Sequence, residues 1–174
     1  AFSRAYFGQH ISILPKEAPI KRSRIPIFES LKDVLDEKVD PRFFLSSGYL
    51  ETLEKHIVTQ HDKGYGFGYC IVNAPEIKNP IANTLLATGG SGRERNLIYD
   101  PINGATCAGT SVKGKYSPIN DKFIRTMTPN EWGRLQGFIG YAFMDENGVD
   151  QFSFPEGIPN VQKFKQFGNS VTIP

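Results

Sequence analysis

The chain has 174 residues, 39% hydrophobic and 22% charged, with a formal net charge of +2 at pH 7. That is enough for one ordinary core, too apolar for disorder, and without the run of ~20 apolar residues that a membrane-spanning helix needs. Two cysteines, Cys70 and Cys107, supply neither a disulfide framework nor metal-ligand spacing; with no secretory signal visible, a reducing cytoplasm is the expected setting.

Prolines at 15, 19 and 26 forbid a continuous helix over residues 1–27, so an extended connector is expected, with Lys21, Arg22 and Arg24 as a solvated basic face or phosphate contacts. Phe28, Leu31 and Leu35 then recur at helical spacing and stop before Val39-Asp40-Pro41. Leu50, Leu53 and Ile57 repeat the pattern after Ser46 or Ser47 as cap, which predicts a second amphipathic helix. Beyond it, Gly64, Gly66 and Gly68 alternate with Tyr65 and Phe67. Glycine at this density lets the backbone approach a surface closely, and the rings supply flat apolar faces, a combination suited to nucleic acid. The competing reading is a hairpin tip with its rings in the core. The spacing is not a dinucleotide fingerprint.

A strand is predicted from Tyr69 to Val72, and a second from Asn83 into the glycine loop Gly89-Gly90-Ser91-Gly92, which carries Arg93 and Arg95 just after it. The Gly-Lys-Ser/Thr ending of a phosphate-binding P-loop is absent. A third strand, Leu97–Tyr99, ends at Asp100-Pro101. Residues 103–120 read as a long variable loop, with Lys113 and Lys115 as phosphate contacts or solvated charges. The densest boundary signals lie at Thr128–Gly137. Thr128 is a helix N-cap, Pro129 occupies the first helical position, and Glu131 completes a capping box. Met127 and Trp132 are spaced to staple the helix start, and Gly137 is a left-handed stop. A two-turn helix is unstable alone, so it is predicted to be a post that other segments pack against. Residues 141–161 form a further irregular excursion.

Arg125-x-x-Thr128-Pro129-x-Glu131-x-x-Arg134-Leu135-Gln136-Gly137-Phe138, followed by Gln166-Phe167-Gly168-Asn169-Ser170-Val171, resembles the last two of the ten motifs of DNA (cytosine-5) methyltransferases. The loop at Lys63–Gly68 is similar to that family's first recognition loop, and Thr84-Leu85 before Gly89-Gly90 to its Thr-Leu mark, so the resemblance covers roughly residues 28–174. Ile139-Gly140 departs from the proline usual in the family after the Gly-Phe pair, which bears on the path of the following loop. The family's Pro-Cys nucleophile, its Glu-Asn-Val motif and its glycine-rich cofactor strand-turn are not in this sequence. Cys70 and Cys107 stand in neither context and read as small buried residues.

The resemblance implies a recognition role. Flipping a base leaves a hole in the stack, and Phe67 or Tyr65 is the candidate for contact near it. Arg93 and Arg95 are the candidates for guanine edges, which a guanidinium meets bidentately, with ion pairs to Glu94 or Asp100 as the alternative. Thr84 and Lys63 fit phosphate positioning. Asn169 and Ser170 would lie at the S-adenosylmethionine pocket of a large domain, or form a capped turn; Arg125 and Arg134 would tie the recognition sheet to the Pro129 helix. The expected fold is α+β: twisted antiparallel strands and short helices without the large α/β cofactor domain. Residues 1–45 are expected to be a connector, 46–165 the target-recognition domain and 166–174 a return segment. The partners implied are double-stranded DNA and a large catalytic domain or subunit, this chain alone being inactive. The alternatives are a non-catalytic DNA-binding module of the same fold and an unrelated glycine-rich interaction protein.

Overall fold

The computed structural model describes residues 28, 30–64, 69–87 and 93–170. Its centre is a sheet of two strands, β1 (Leu97–Tyr99) and β2 (Ile124–Thr126), antiparallel with Ile98 opposite Arg125. Alternation along each strand sends side chains to opposite faces. Leu97 and Ile124 go one way, into a cluster with Leu45, Leu50 and Leu53; Ile98 goes the other, into a cluster with Leu31, Val34, Val72, Met127, Trp132, Phe164 and Phe167. Each such side chain contributes about 1.5–3 kcal/mol through its burial.

The helices follow from these faces. α1 (Leu31–Val34) is one turn, buries Leu31 and Val34, and ends where Leu35 turns extended. It is shorter than the Phe28–Leu35 spacing implies, because Asp36 leaves the helix to join the hub described below. α2 (Ser47–Asp62) begins after Ser46, as expected, and lays Leu50 and Leu53 against the sheet. α3 (Pro101–Gly104) is a single turn capped by Asp100 within the stretch expected to be loop. α4 (Pro129–Leu135) has the full predicted start: Thr128 accepts from the Glu131 N–H, the capping box is closed, and Met127 and Trp132 share one cluster. Gly137 stops it with a φ of 77°, a left-handed conformation that glycine adopts without a Cβ clash. The chain then makes a wide turn over Phe138–Ala142, bent at Ile139 and Gly140. There Ile139 packs on Gly133, so closely that a Cβ on Gly133 would lie 2.6 Å from the Ile139 Cδ1.

α5 (Asn160–Asn169) is a helix where the sequence reading expects irregular chain and a return segment. Phe164 and Phe167 are its buried residues, and Phe164 meets Trp132 edge-on at 4.8 Å. The boundary expected between residues 165 and 166 falls inside this helix. Described residues Gln166–Ser170 therefore do not form an extended arm: Phe167 anchors them in the core. Among the described residues, the sheet is also smaller than expected. Ile71 makes only a single parallel bridge to Leu97, and residues 81–86 form no strand. The mixed α+β character stands.

Candidate nucleic-acid interface and cofactor edge

The missing strand pairs are made by asparagine side chains, which carry the donor and acceptor of a peptide group. Asn73 accepts from the Tyr99 N–H at 2.7 Å and donates to the Tyr99 carbonyl at 2.9 Å. Asn96 accepts from Asn83 N at 2.7 Å and donates to Asn83 O at 3.0 Å. Asn120 does the same for Ile124, and donates to Leu45 O as well. These side chains extend a three-residue ladder without further strand, and they fix the segments that carry Thr84 and Arg95. Asn83 Nδ2 in turn donates to the Arg95 carbonyl at 2.7 Å.

Behind the sheet lies a buried polar hub. Arg125 is fully buried; its Nε donates to Asp100 Oδ2 at 2.7 Å, while Nη1 and Nη2 donate to the two Glu131 oxygens at 2.9 and 2.8 Å. Glu131 also accepts from Thr128 N at 2.7 Å and Asp36 N at 2.9 Å. The Thr128 hydroxyl donates to Asp36 Oδ2 at 2.6 Å, and Arg134 donates to Asp36 Oδ1 and the Val34 carbonyl. Burial works against the Arg125 charge, but the hydrogen bonds and charges of Glu131 and Asp100 outweigh it and raise its pKa. Burial likewise opposes ionisation of Asp100, and donors from Asn103 and Arg125, with the guanidinium charge, hold its carboxyl below the ordinary value. No buried side-chain nitrogen or oxygen among the described residues lacks a partner. The hub joins α1, the start of α3, β2 and α4 in one network.

The two motifs meet in front of the hub. A cleft of about 460 Å³ is lined by Ala82–Leu85, Leu135, Gln136, Gly168 and Ser170. Gly168 makes it possible: a Cβ there would lie 2.6 Å from the Ala87 Cα and overlap the Leu86 carbonyl. The end of α5 thus touches backbone just before the second glycine loop. The Ser170 hydroxyl bridges Gln136 Oε1 at 2.7 Å and the Phe167 carbonyl at 2.6 Å.

Of the residues singled out from sequence, Thr84 is exposed at this cleft, Ser170 is half-buried in its wall and Asn169 is exposed beside it. Lys63 is exposed at the C-cap of α2, its N–H bonded to the last turn. Arg95 is exposed on the 3-10 turn Arg93–Asn96. Of the carboxylates that competed for the arginines, Asp100 is engaged by Arg125 and Asn103, and Glu94 accepts the Tyr49 hydroxyl at 2.6 Å. Tyr65, Phe67 and the Arg93 side chain lie outside the described residues, as do residues 1–27 and both glycine-rich stretches beyond Gly64 and Ala87. Cys107 is buried, and burial pushes its thiol pKa up; Cys70 is half-buried. Sequence reading missed Asn73, Asn96, Asn120 and the cleft role of Gln136. Nothing distinguishes a strand-mimicking asparagine from a turn asparagine before the partner backbone is known.

The chain belongs to the C-5 cytosine-specific DNA methylase family, whose model matches residues 6–174. It is 39% identical over 143 residues to the type II methyltransferase M.HpaII of Haemophilus parainfluenzae, covering 82% of this chain and 34% of that protein. It is 29% identical to a DNA-cytosine methyltransferase of Escherichia coli K12, covering 83% and 28%. With the type II methyltransferase M.NlaX of Neisseria lactamica it shares 27% identity, covering 82% and 34%. The chain therefore spans about a third of the length of these relatives. No helix among the described residues is long and apolar enough to cross a membrane.

Proposed function

We propose that this chain is the target-recognition part of a DNA (cytosine-5) methyltransferase, which seats a duplex while a large domain or partner subunit supplies the cysteine nucleophile. The observation that carries this reading is the convergence of Thr84, Gln136, Gly168 and Ser170 on one cleft. Methylating carbon 5 requires a nucleophile at carbon 6 and a base held out of the stack, and this sequence offers recognition elements for the second task only. Arg95 reads a guanine edge, Thr84 and Lys63 set the register on phosphates, and Tyr65, Phe67 and Arg93 complete the interface from the glycine loops. Arg125 and Arg134 hold the sheet to α4.

S-adenosylmethionine supplies the methyl group in this family. The residues present fit one edge of its site. Asn169 is exposed at the end of α5, and the Ser170 hydroxyl is held by Gln136. The cleft lining has no carboxylate to take a ribose diol, so the remaining walls belong to the large domain. The test is methyl transfer from labelled S-adenosylmethionine to mixed-sequence DNA, by this chain alone and with a large-domain polypeptide from the same source. Transfer only in the mixture is the expected result. Transfer by neither, with salt-sensitive DNA binding intact, would instead identify a non-catalytic binding module, and the absence of DNA binding would refute both.

A further inference from the structure

Away from the motif cleft, a groove of about 330 Å³ runs between the 3-10 turn Pro41–Phe43, the start of α2 and residues 114–116. We propose that this groove is a second DNA-contact surface, which takes the sugar-phosphate backbone of the duplex flanking the target site. The inference rests on the target-recognition reading above and extends it to a surface that shares only Thr126 with either motif.

Position is the first argument. Glu94 lines the groove and is the immediate neighbour of Arg95 on the same 3-10 turn. The Tyr49 hydroxyl on α2 donates to Glu94 at 2.6 Å, locking this end of the groove to the turn.

The second argument is the way the loop is built. Residues 110–119 are closed at their base by the Ile119 N–H to the Thr110 carbonyl at 2.9 Å. Gly114, with a φ of 89°, turns the tip, and Lys115 N donates to the Val112 carbonyl. The loop is then pinned across the first turn of α2, where Ser47 N donates to the Pro118 carbonyl at 2.8 Å and Gly48 N to the Ser117 hydroxyl at 2.9 Å. α2 has no side-chain cap from Ser46, and the loop supplies one in its place. This pinning displays Tyr116 in full: the residue is as exposed as in an extended chain, at 108%. A single exposed ring is unremarkable. Here the ring stands on a braced loop at the rim of a groove that also holds Tyr49, Arg42 and Lys115.

Charge selects the partner. Arg42, Lys113 and Lys115 stand against Asp40 and Glu94 in and around the groove, leaving a positive balance beside a surface already assigned to DNA. Arg42 Nε and Nη2 are paired with Asp40. A guanidinium has five N–H donors, so contact with a phosphate does not require that pair to break. Lysine and arginine with hydroxyl donors are the usual phosphate-positioning set.

The test uses the full chain and a duplex selected by it from a mixed-sequence pool, in a long version with flanks of about one helical turn on each side and a version trimmed to the selected site. Arg42→Gln with Lys115→Gln should lower the slope of log affinity against log salt by about 1.8 on the long duplex, at about 0.9 for each phosphate no longer neutralised. Tyr116→Ala should weaken the long duplex by about tenfold, as expected for one hydrogen bond to a charged group, and leave the trimmed one unchanged. These side chains are exposed or at the groove rim, and unchanged unfolding midpoints establish that each variant is folded. Arg95→Ala is the control for the parent reading. If it weakens both duplexes while the groove variants change neither slope nor affinity, the groove proposal falls and target recognition survives; equal losses on long and trimmed duplexes also overturn it. If the unaltered chain selects no duplex, the target-recognition reading itself fails.

Discussion

Arg125→Met is the substitution that bears most directly on what holds this molecule together. Methionine preserves much of the length and apolar volume, but removes donors at 2.7 Å to Asp100 and at 2.9 and 2.8 Å to Glu131. Both carboxylates stay buried, Glu131 completely so. Removing one partner of a buried pair costs about 3–5 kcal/mol, chiefly for the charge left behind. Here the lower part of that range is expected, because Glu131 keeps Thr128 N and Asp36 N, and Asp100 keeps Asn103. Asp100, whose carboxyl Arg125 helps to hold below its ordinary value, will take up a proton more readily, so the loss should be larger at pH 8 than at pH 5. Urea unfolding at the two pH values, read as a shift in midpoint at constant slope, measures this. A loss below about 1 kcal/mol, or one independent of pH, would show that the hub does not join the layers.

Three further outcomes follow from the same contacts. Asp100 has a folded pKa below its unfolded value, so its contribution is complete above about pH 5 and is lost as pH falls through about 4 to the lowered value; Asp100→Asn should flatten that acid limb of the stability profile. Asn120→Ala leaves the Leu45 and Ile124 carbonyls their backbone donors but strips the Ile124 N–H of its partner, at about 1–3 kcal/mol for one buried group left unpaired, and should lower the unfolding midpoint accordingly. Gly168→Ala places a methyl against the Leu86–Ala87 backbone at an overpacking cost of about 1–3 kcal/mol, partly offset by better helix propensity. It should weaken DNA binding more than stability, and binding unchanged in a gel-shift assay would break the link between α5 and the second glycine loop.

What could be read in the sequence was what local chemistry decides. Thr128, Pro129, Glu131 and Gly137 announce α4 because capping, proline placement and left-handed glycine act within a few residues of each other. Ser46 and the Leu50–Leu53 spacing announce α2 for the same reason. The strand expected at Tyr69–Val72 is cut to a single bridge, with Cys70 and Val72 bonding the Glu94 and Leu97 backbone before the Asn73 side chain takes over at Tyr99, and near Asn83 the Asn96 side chain stands in for a ladder; these exchanges depend on residues up to 26 positions away. α5 was hidden by the Phe-Gly composition around it. Gly168 and Asn169 suggest a turn until Phe164 and Phe167 are seen to meet Trp132 and the core. Of the residues that motif reading proposes, Thr84 and Ser170 line the cleft while Arg95 and Asn169 are exposed outside its lining, whereas the groove at Arg42 and Tyr116 depends on a loop folding back across α2.

The short helix α4 explains how two distant motifs can act on one site. Its first turn belongs to the hub, through Thr128 and Glu131, and its last residues, Leu135 and Gln136, belong to the cleft. Seven residues span about 10 Å, and Arg134 in the last turn also bonds Asp36, so the hub braces the whole length of one rigid post whose end opens on the cleft. Gln136 then passes that position to Ser170, and Gly168 passes it to Leu86 and Ala87. A displacement of β2 against α1 would therefore reach the base of the second glycine loop through one helix and two close contacts. That is a physical reason for a charged hub this deeply buried: the guanidinium and its two carboxylates admit only narrow geometry, and the cleft inherits that constraint.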